Sequence, residues 1–231
     1  MSLKQERLRL AGAFLRCRGC LGPLDGDAVA GLCGPCWAGL LPLAGARCPR
    51  CALTHGEEAC PEPTAWDLGD ALWDYHGGRP PPGALLLPAI KAGEAGWRKA
   101  LLVRAAAAPL PDWTSEADLV TAAPSALHRR LLRGFDLAEE AGRLLAGRLD
   151  LPFRRLLAKG WRTGRQASRT ESQRRRLPRK AVRFRGAPLE GGTVLLVDDV
   201  WTTGTTLLRC AQALRDGGAA DVRVLTLFRA L

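Results

Sequence analysis

Val194–Val197 is a run of four aliphatic residues in succession. Such a run predicts a strand buried on both faces, as in a parallel sheet. Asp198 and Asp199 close it, the polar residues Thr202, Thr203, Gly204, Thr205 and Thr206 follow, and LLRCAQAL then carries a helical apolar period. The pattern reads strand, polar turn, helix. DLVTAAP (118–124) predicts a strand ending in small residues, FDLAEEAGRLLAGRL (135–149) an amphipathic helix, and DVRVLTLF (221–228) a last strand. ALWDYHG (71–77), FRRLLAK (153–159) and AVRFRG (181–186) are shorter strand candidates. A helix is expected from about residue 84, restarting after Pro88 because proline interrupts the hydrogen-bond ladder. Residues 3–15 read as an amphipathic helix, 61–68 (PEPTAWDL) as a linker, and 160–178 show no sustained apolar period. Strands alternating with helices predict an α/β domain over 62–231 with a central, mostly parallel sheet.

The segment ahead of it, 1–61, is organised by cysteine. Seven of the eight cysteines fall within the first 60 residues. Cys17 and Cys20 form one C-x-x-C pair, Cys33 and Cys36 a second, with twelve residues between the pairs. Each such turn presents two thiolates from one tight loop, and two turns close a tetrahedron, which is the spacing of structural zinc sites. The alternative, disulfides, suits an oxidising compartment, whereas the rest of the chain reads as cytoplasmic. Cys48, Cys51 and Cys60 form a third group, one thiolate short of a second site. Either His55 is its fourth ligand or the group is a decayed site, and decay or partial occupancy is the favoured reading. Cys210, inside the last helix, is expected to be a buried core thiol.

Charge is unevenly spread. The 231 residues carry 34 Lys plus Arg and 23 Asp plus Glu. Between Arg154 and Arg185 there are 13 basic residues and one acid, Glu171; outside that stretch 21 basic and 22 acidic residues remain. One segment thus holds the whole net charge, either as a solvated loop or as a phosphate-seeking arm. There is no Asn and a single Ile, a skew that a GC-rich genome produces by itself and that discounts the preference for Arg over Lys. No run approaches 18 uninterrupted apolar residues, so no membrane span is expected. The apolar run near the N-terminus is too short for a secretory signal.

Chemistry concentrates after the 194–197 strand. Backbone N–H groups at a helix N-terminus, flanked by threonine hydroxyls, make a site for a monophosphate. The carboxylates one turn away are acceptors suited to the vicinal hydroxyls of a ribose. The series VLLVDDVWTTGTT resembles the phosphoribosyl pyrophosphate (PRPP) loop of the type I phosphoribosyltransferases, hydrophobic-hydrophobic-Asp-Asp-x-x-x-Thr-Gly-x-Thr. Trp201 stands where that family has a smaller apolar residue, so it is expected to narrow the pocket mouth or to offer a stacking surface for a base.

Zinc module and α/β pattern together resemble the ComF family, phosphoribosyltransferase-like proteins associated with natural competence for DNA uptake. In AAPSALHRRLLRGFDLAEEAG, Arg133, Gly134 and Phe135 match the family, while Asp136 and Leu137 replace its Asn-Gln pair. Gln166, Arg174 and Ala181 fall in the frame of its basic loop, with Arg169 and Leu177 in place of Leu and Asn. Lys91 sits where the family has a lysine after the first helix. The resemblance implies that Asp198 and Asp199 hold the ribose and Thr202–Thr206 the 5-phosphate. It implies that the turn around Ala122–Ser125 meets pyrophosphate, aided by Arg129, Arg130, Arg133 and Lys91, with Mg²⁺ bridging ribose and pyrophosphate oxygens. The basic loop, with Gln166, Arg174 and Arg175, would act as a flap or a DNA contact. Three functions compete on these grounds. One is an enzyme transferring or hydrolysing the phosphoribosyl group of PRPP. Another is a non-catalytic binding module, either a PRPP or phosphate sensor or a single-stranded DNA binder that uses the basic segment 154–185. The third is an interaction protein for competence or recombination partners.

Overall fold

A computed structural model of the chain describes residues 16–24, 28–29, 31–43, 45–55, 60, 65–78, 81–159 and 181–230. The expected helix over 3–15 and the basic loop over 160–178, with Gln166, Arg174 and Arg175, lie outside the described residues.

Four strands build the central sheet: β1 (Leu68–Asp74), β2 (Leu119–Ala122), β5 (Thr193–Trp201) and β6 (Asp221–Arg229). Their order is β1-β6-β5-β2, and every neighbouring pair is parallel. β5 and β6 are therefore the inner strands, which is why their sequences are almost continuously apolar. The pleat divides β5 between two cores. Leu195 and Val197 join Leu225, Leu227 and Phe228 on one face, against Leu86, Ile90, Leu101 and Leu145. Val194 and Leu196 join Val222 and Val224 on the other, against Leu207, Cys210 and Leu214. The first face is covered by α2 (Pro82–Lys91), α3 (Ala95–Ala107) and α5 (Leu137–Leu149), the second by α6 (Thr205–Asp216). Cys210 is fully buried there, as its helical position predicts.

Helix α2 departs from expectation. It runs through Pro88 and stops at Ala92 instead, just before Gly93 at φ +109°. Pro88 removes a single backbone bond, while Leu86, Leu87 and Ile90 around it are all buried; packing outweighs the missing N–H. The stretch 153–159 is also divided. Phe153 bridges Val120, and the Arg154 N–H donates to Val120, so this half lengthens the sheet beside β2. The other half is β3 (Leu157–Lys159), antiparallel to β4 (Val182–Phe184). Phe184 closes over the end of α6 because Gly217 has no side chain: a Cβ there would meet the ring at 2.5 Å.

The cysteine module packs against β1 and the helices beside it. Cys17, Leu32, Cys33, Cys36 and Leu40 share a core with Leu72, Trp73 and Trp97, and Arg18 pairs with Glu94 at 2.8 Å. The turn around Cys48–Cys51 meets β1 directly. The Gly69 N–H donates to Pro49, the Trp66 indole donates to Arg50, and Arg47 grips both oxygens of Asp70. A short helix, α1 (Gly34–Ala38), completes the module. The remaining helix, α4 (Leu127–Arg133), follows β2 and ends on Gly134, which has φ +72°.

Leu195 is fully buried at the centre of the inner strand. Leu195→Ala should lower unfolding free energy by about 2–5 kcal/mol, the range for truncating a buried leucine, with an unchanged denaturant slope in urea unfolding.

Candidate functional site

The apolar half of β5 delivers two carboxylates to the carboxyl edge of the sheet, the side where parallel α/β sheets bind ligands. The strand does not end at Val197. It continues to Trp201, because β6 runs beside it: Val200 pairs with Phe228 and Trp201 with Arg229. Asp198 and Asp199 are therefore fixed by strand geometry rather than carried on a turn. The Asp199 N–H donates to Asp198 Oδ1 at 2.8 Å. Asp199 Oδ2 meets Lys91 Nζ at 2.7 Å, the lysine reaching in from the last turn of α2. Burial, and then the charge of Asp199, push the Asp198 carboxyl well above the usual carboxylate range, against the pull of the Asp199 N–H, Lys91 and Lys159. A cation or a sugar hydroxyl brought here would relieve that cost.

After β5 the chain turns through Thr202 and Thr203, both exposed, to Gly204 at φ +67°. Gly204 is the N-cap of α6, and only glycine adopts that left-handed backbone freely. No side chain caps the helix. Its first N–H groups are left for a ligand, and the positive end of the dipole faces the same way. Thr203 and Thr205 hydroxyls lie 2.9 Å apart across the opening. The local structure is a phosphate-sized cradle bordered by hydroxyls, with the two carboxylates immediately upstream.

The third wall is the turn after β2. Ala122 pairs with Val197 in the parallel register, and the Ala123 N–H donates to Val197, so residues 122–125 lie next to the carboxylates. A small pocket of about 50 Å³ opens here, lined by Ala123, Pro124, Ser125, Arg130, Asp136, Glu139 and Arg155 among others. Asp136 Oδ2 accepts from the Ser125 N–H at 3.3 Å, and its Oδ1 is buried with no hydrogen-bond partner among the described residues.

The sequence-predicted residues thus converge in part. Asp198, Asp199, Lys91 and the 202–206 loop meet at one sheet edge, and Arg130 lines the adjoining pocket. Arg133, on the same helix α4, does not line that pocket, and the side chain of Arg129 lies outside the described residues. Trp201 does neither thing expected of it. It is fully buried, edge-on to Trp66 at 5.3 Å and stacked beneath the Arg229 guanidinium, and it belongs to the core. The pleat turns it away from the site. Lys159, Asp136, Glu139 and Arg155 are site-facing residues that sequence reasoning missed. Their only signal was the charge in 154–159 and the replacement of an amide at 136; the β3–β4 pairing that brings Lys159 within influence of Asp198 has no local signature.

The thiols form two compact groups. The donor atoms of Cys17, Cys20, Cys33 and Cys36 all lie within 4.8 Å of one another. Cys20 and Cys33 sulfurs are 3.7 Å apart, close to the edge of a tetrahedron with Zn–S bonds of about 2.3 Å. Burial opposes ionisation of Cys17, but N–H groups of Cys33, Cys20 and Gly19 outweigh it and bring the thiol down to about 6. Burial pushes Cys36 up, and Cys33 is raised as well: the Cys36 N–H pulls it down, but burial and the Cys17 and Cys20 thiols outweigh that pull. The second group is compact as well, with the geometry of a candidate metal site: the donor atoms of Cys48, Cys51, His55 and Cys60 also lie within 4.8 Å of one another. Cys48 is brought down to about 6 against its burial by N–H groups of Arg50 and Cys51 and by His55, while burial pushes Cys51 up to about 12. All eight cysteines are free thiols. Both donor sets fit a structural zinc ion.

The phosphoribosyl transferase domain family matches residues 138–231. The DNA utilization protein YhgH of Salmonella typhi is 28% identical over 202 residues, covering 80% of this chain and 84% of that protein. YhgH of Escherichia coli O157:H7 is 28% identical over 227 residues, covering 86% and 98%. Among solved structures, the glutamine PRPP amidotransferase from B. subtilis complexed with ADP and GMP aligns at 27% identity over 56% of this chain and 26% of that chain, with a TM-score of 0.38. The purine phosphoribosyltransferase from Pyrococcus horikoshii Ot3 aligns at 16% identity over 57% of this chain and 82% of that chain, with a TM-score of 0.31. Among the described residues no helix is long and apolar enough to cross a membrane.

Metal analysis of protein purified without chelator should return two zinc ions per chain, and Cys17→Ser one; a single ion in the parent would favour the decayed-site reading. For the carboxylate pair, a raised Asp198 binds its proton more tightly in the folded chain, so its contribution is present at low pH and is lost as pH rises through the folded value. Between about pH 4, the ordinary aspartate value, and neutrality, Asp198→Asn should flatten the decline of melting temperature with pH. At neutral pH the variant should melt higher than the parent.

Proposed function

Taking as premise a type I phosphoribosyltransferase-like fold with an N-terminal cysteine module, similar to the ComF family, we propose that this chain binds PRPP and transfers or hydrolyses its phosphoribosyl group. One observation carries the reading. A carboxyl pair, Asp198 and Asp199 with Lys91, stands beside an uncapped helix start edged with threonines, and a polar pocket opens at the neighbouring strand end. Those are the three recognition elements that a ribose bearing a 5-phosphate and a 1-pyrophosphate requires.

In this reading the N–H groups and hydroxyls of Thr202–Thr206 hold the 5-phosphate. Asp198 and Asp199 accept hydrogen bonds from the 2- and 3-hydroxyls, and the turn at 122–125 with Arg130 meets pyrophosphate. Mg²⁺, when bound with PRPP, neutralises charge on the ribose and pyrophosphate oxygens. A nucleophile attacks C1 as the bond from C1 to the pyrophosphate oxygen breaks, and pyrophosphate departs with the electron pair. Water as nucleophile makes the reaction hydrolysis. Catalysis by this chain consists of positioning and of cationic support for the leaving group. Arg130 and the basic loop, with Arg174 and Arg175, suit that second task.

A role with DNA follows from a separate observation. The relatives carry the name DNA utilization protein, and 13 of this chain's basic residues cluster within 154–185 beside a single acid. Such an arm binds single strands without sequence preference, with Trp161 as a stacking surface, and brings the chain to competence or recombination partners.

Calorimetry with PRPP and Mg²⁺, followed by an assay for released pyrophosphate, tests the first reading. Asp198→Asn with Asp199→Asn should weaken PRPP binding at least tenfold, about 1.4 kcal/mol, and abolish pyrophosphate release; unchanged affinity would reject it. For the arm, changing Arg174, Arg175 and Arg176 to Ala should weaken single-stranded DNA binding and make its salt dependence shallower. Identical salt slopes for the two proteins would assign the segment to the pocket alone.

A further inference from the structure

The second thiol group and the phosphate loop are distant in sequence, yet one buried side chain touches both. Arg229, the last residue of β6, is 2% exposed. Its Nε donates to the Cys51 carbonyl at 3.2 Å, and its Nη1 donates to the carbonyls of Trp201 at 3.0 Å and Thr202 at 2.6 Å. The guanidinium lies over the Trp201 ring, 4.6 Å from its centroid. Cys51 is a member of the Cys48, Cys51, His55 and Cys60 group, and Thr202 opens the proposed phosphate loop.

We propose that Arg229 is a positioning residue that ties the Cys48–Cys51–His55–Cys60 metal site to the phosphate loop, so that metal at this site sets the geometry of the loop and its affinity for a ribose phosphate. The ligand half of this statement rests on the reading of the pocket given above. Three features support the link. A planar guanidinium fork holds several carbonyls in fixed directions and stacks on a ring, whereas a lysine ammonium is a compact point charge with rotatable donors. Three thiolates and a neutral imidazole around Zn²⁺ leave a net charge of −1, which matches the buried cation. The packing between the two sites also leaves no slack. A Cβ on Gly69 would meet the Arg50 carbonyl at 2.9 Å, the Trp66 indole nitrogen at 2.9 Å and the Trp201 ring at 3.1 Å. The Trp66 indole donates to Arg50 at 2.6 Å while its ring abuts Trp201. A shift of the Cys48–Cys51 turn therefore moves Trp201 and the start of the loop together.

The test uses the full chain loaded with zinc, alongside Arg229→Lys, Cys60→Ala and the double variant. Hydrogen exchange at the backbone amides of 201–206 and PRPP affinity in the presence of Mg²⁺ are measured, with zinc content determined for each protein. Cys60→Ala, holding one zinc fewer, should exchange about tenfold faster over 201–206 and bind PRPP about tenfold more weakly. Arg229→Lys should do the same while retaining all its zinc. The double variant should be little worse than either single one, because both cut the same link. Should Cys60→Ala not fold, stepwise removal of zinc from the parent and from Arg229→Lys by a chelator replaces it, and only the parent should show loop exchange that follows the metal. Unaltered exchange in Arg229→Lys, or additive effects in the double variant, would overturn the proposal. A parent that binds no PRPP but whose loop exchange still follows the metal supports the link and rejects the ligand reading.

Discussion

Like charges on adjacent residues repel, and the site depends on holding two of them still. Asp198 and Asp199 follow four buried aliphatic residues on β5 and are themselves half-buried, held in place where the strand continues beside β6. The strand supplies the rigidity, and its burial supplies the penalty, since it is the loss of solvent that raises Asp198 most. Lysines from two directions offset the charge: Lys91 from the end of α2, and Lys159 from the β3–β4 pair. The helix behind the loop adds a third source of positive potential. A site built this way is poised for a ligand that is polar toward the carboxylates and anionic toward the helix.

Strand positions were readable because inner parallel strands are apolar on both faces. VLLV and DVRVLTLF announce β5 and β6 without tertiary information. The cradle was readable as well, since a glycine between threonines at a strand-to-helix turn has few other uses. What the sequence did not reveal depends on pairing. Nothing local separates Phe153, which bridges Val120, from Leu157, which pairs with Phe184. Nothing local decides whether Trp201 faces the pocket or the core, because strand continuation beyond the carboxylates is set by the length of β6. Pro88 misled for a related reason: proline's cost is local, whereas the burial that keeps α2 whole is not.

The second thiol group shows the same limit in metal chemistry. Two regular C-x-x-C turns announce a site through spacing alone. Cys48 and Cys51 offer only one such turn, and the other two donors, His55 and Cys60, arrive singly from a loop whose return cannot be inferred from residue types. The module in turn is not an appendage in packing terms. Its backbone carbonyls at Pro49, Arg50 and Cys51 serve as acceptors for Gly69, Trp66 and Arg229, so the sheet edge and the knuckle complete each other's hydrogen bonds.

The strand order has a consequence for biosynthesis. β6 is the last of the described strands to be made, yet it lies between β1 and β5, with Leu68 in register with Arg223. Until β6 emerges from the ribosome, β1 has no neighbour in the sheet and β5 presents one bare edge. Both carry buried apolar residues, Leu72 and Trp73 on β1 and Val194–Val197 on β5, and an unpaired strand edge of that kind recruits other chains. Closure also joins segments far apart along the chain, which makes it slow. A nascent chain stalled before Asp221 would therefore be a sticky intermediate, and its escape from aggregation would depend on chaperones shielding β1 and β5 until the inner strand inserts.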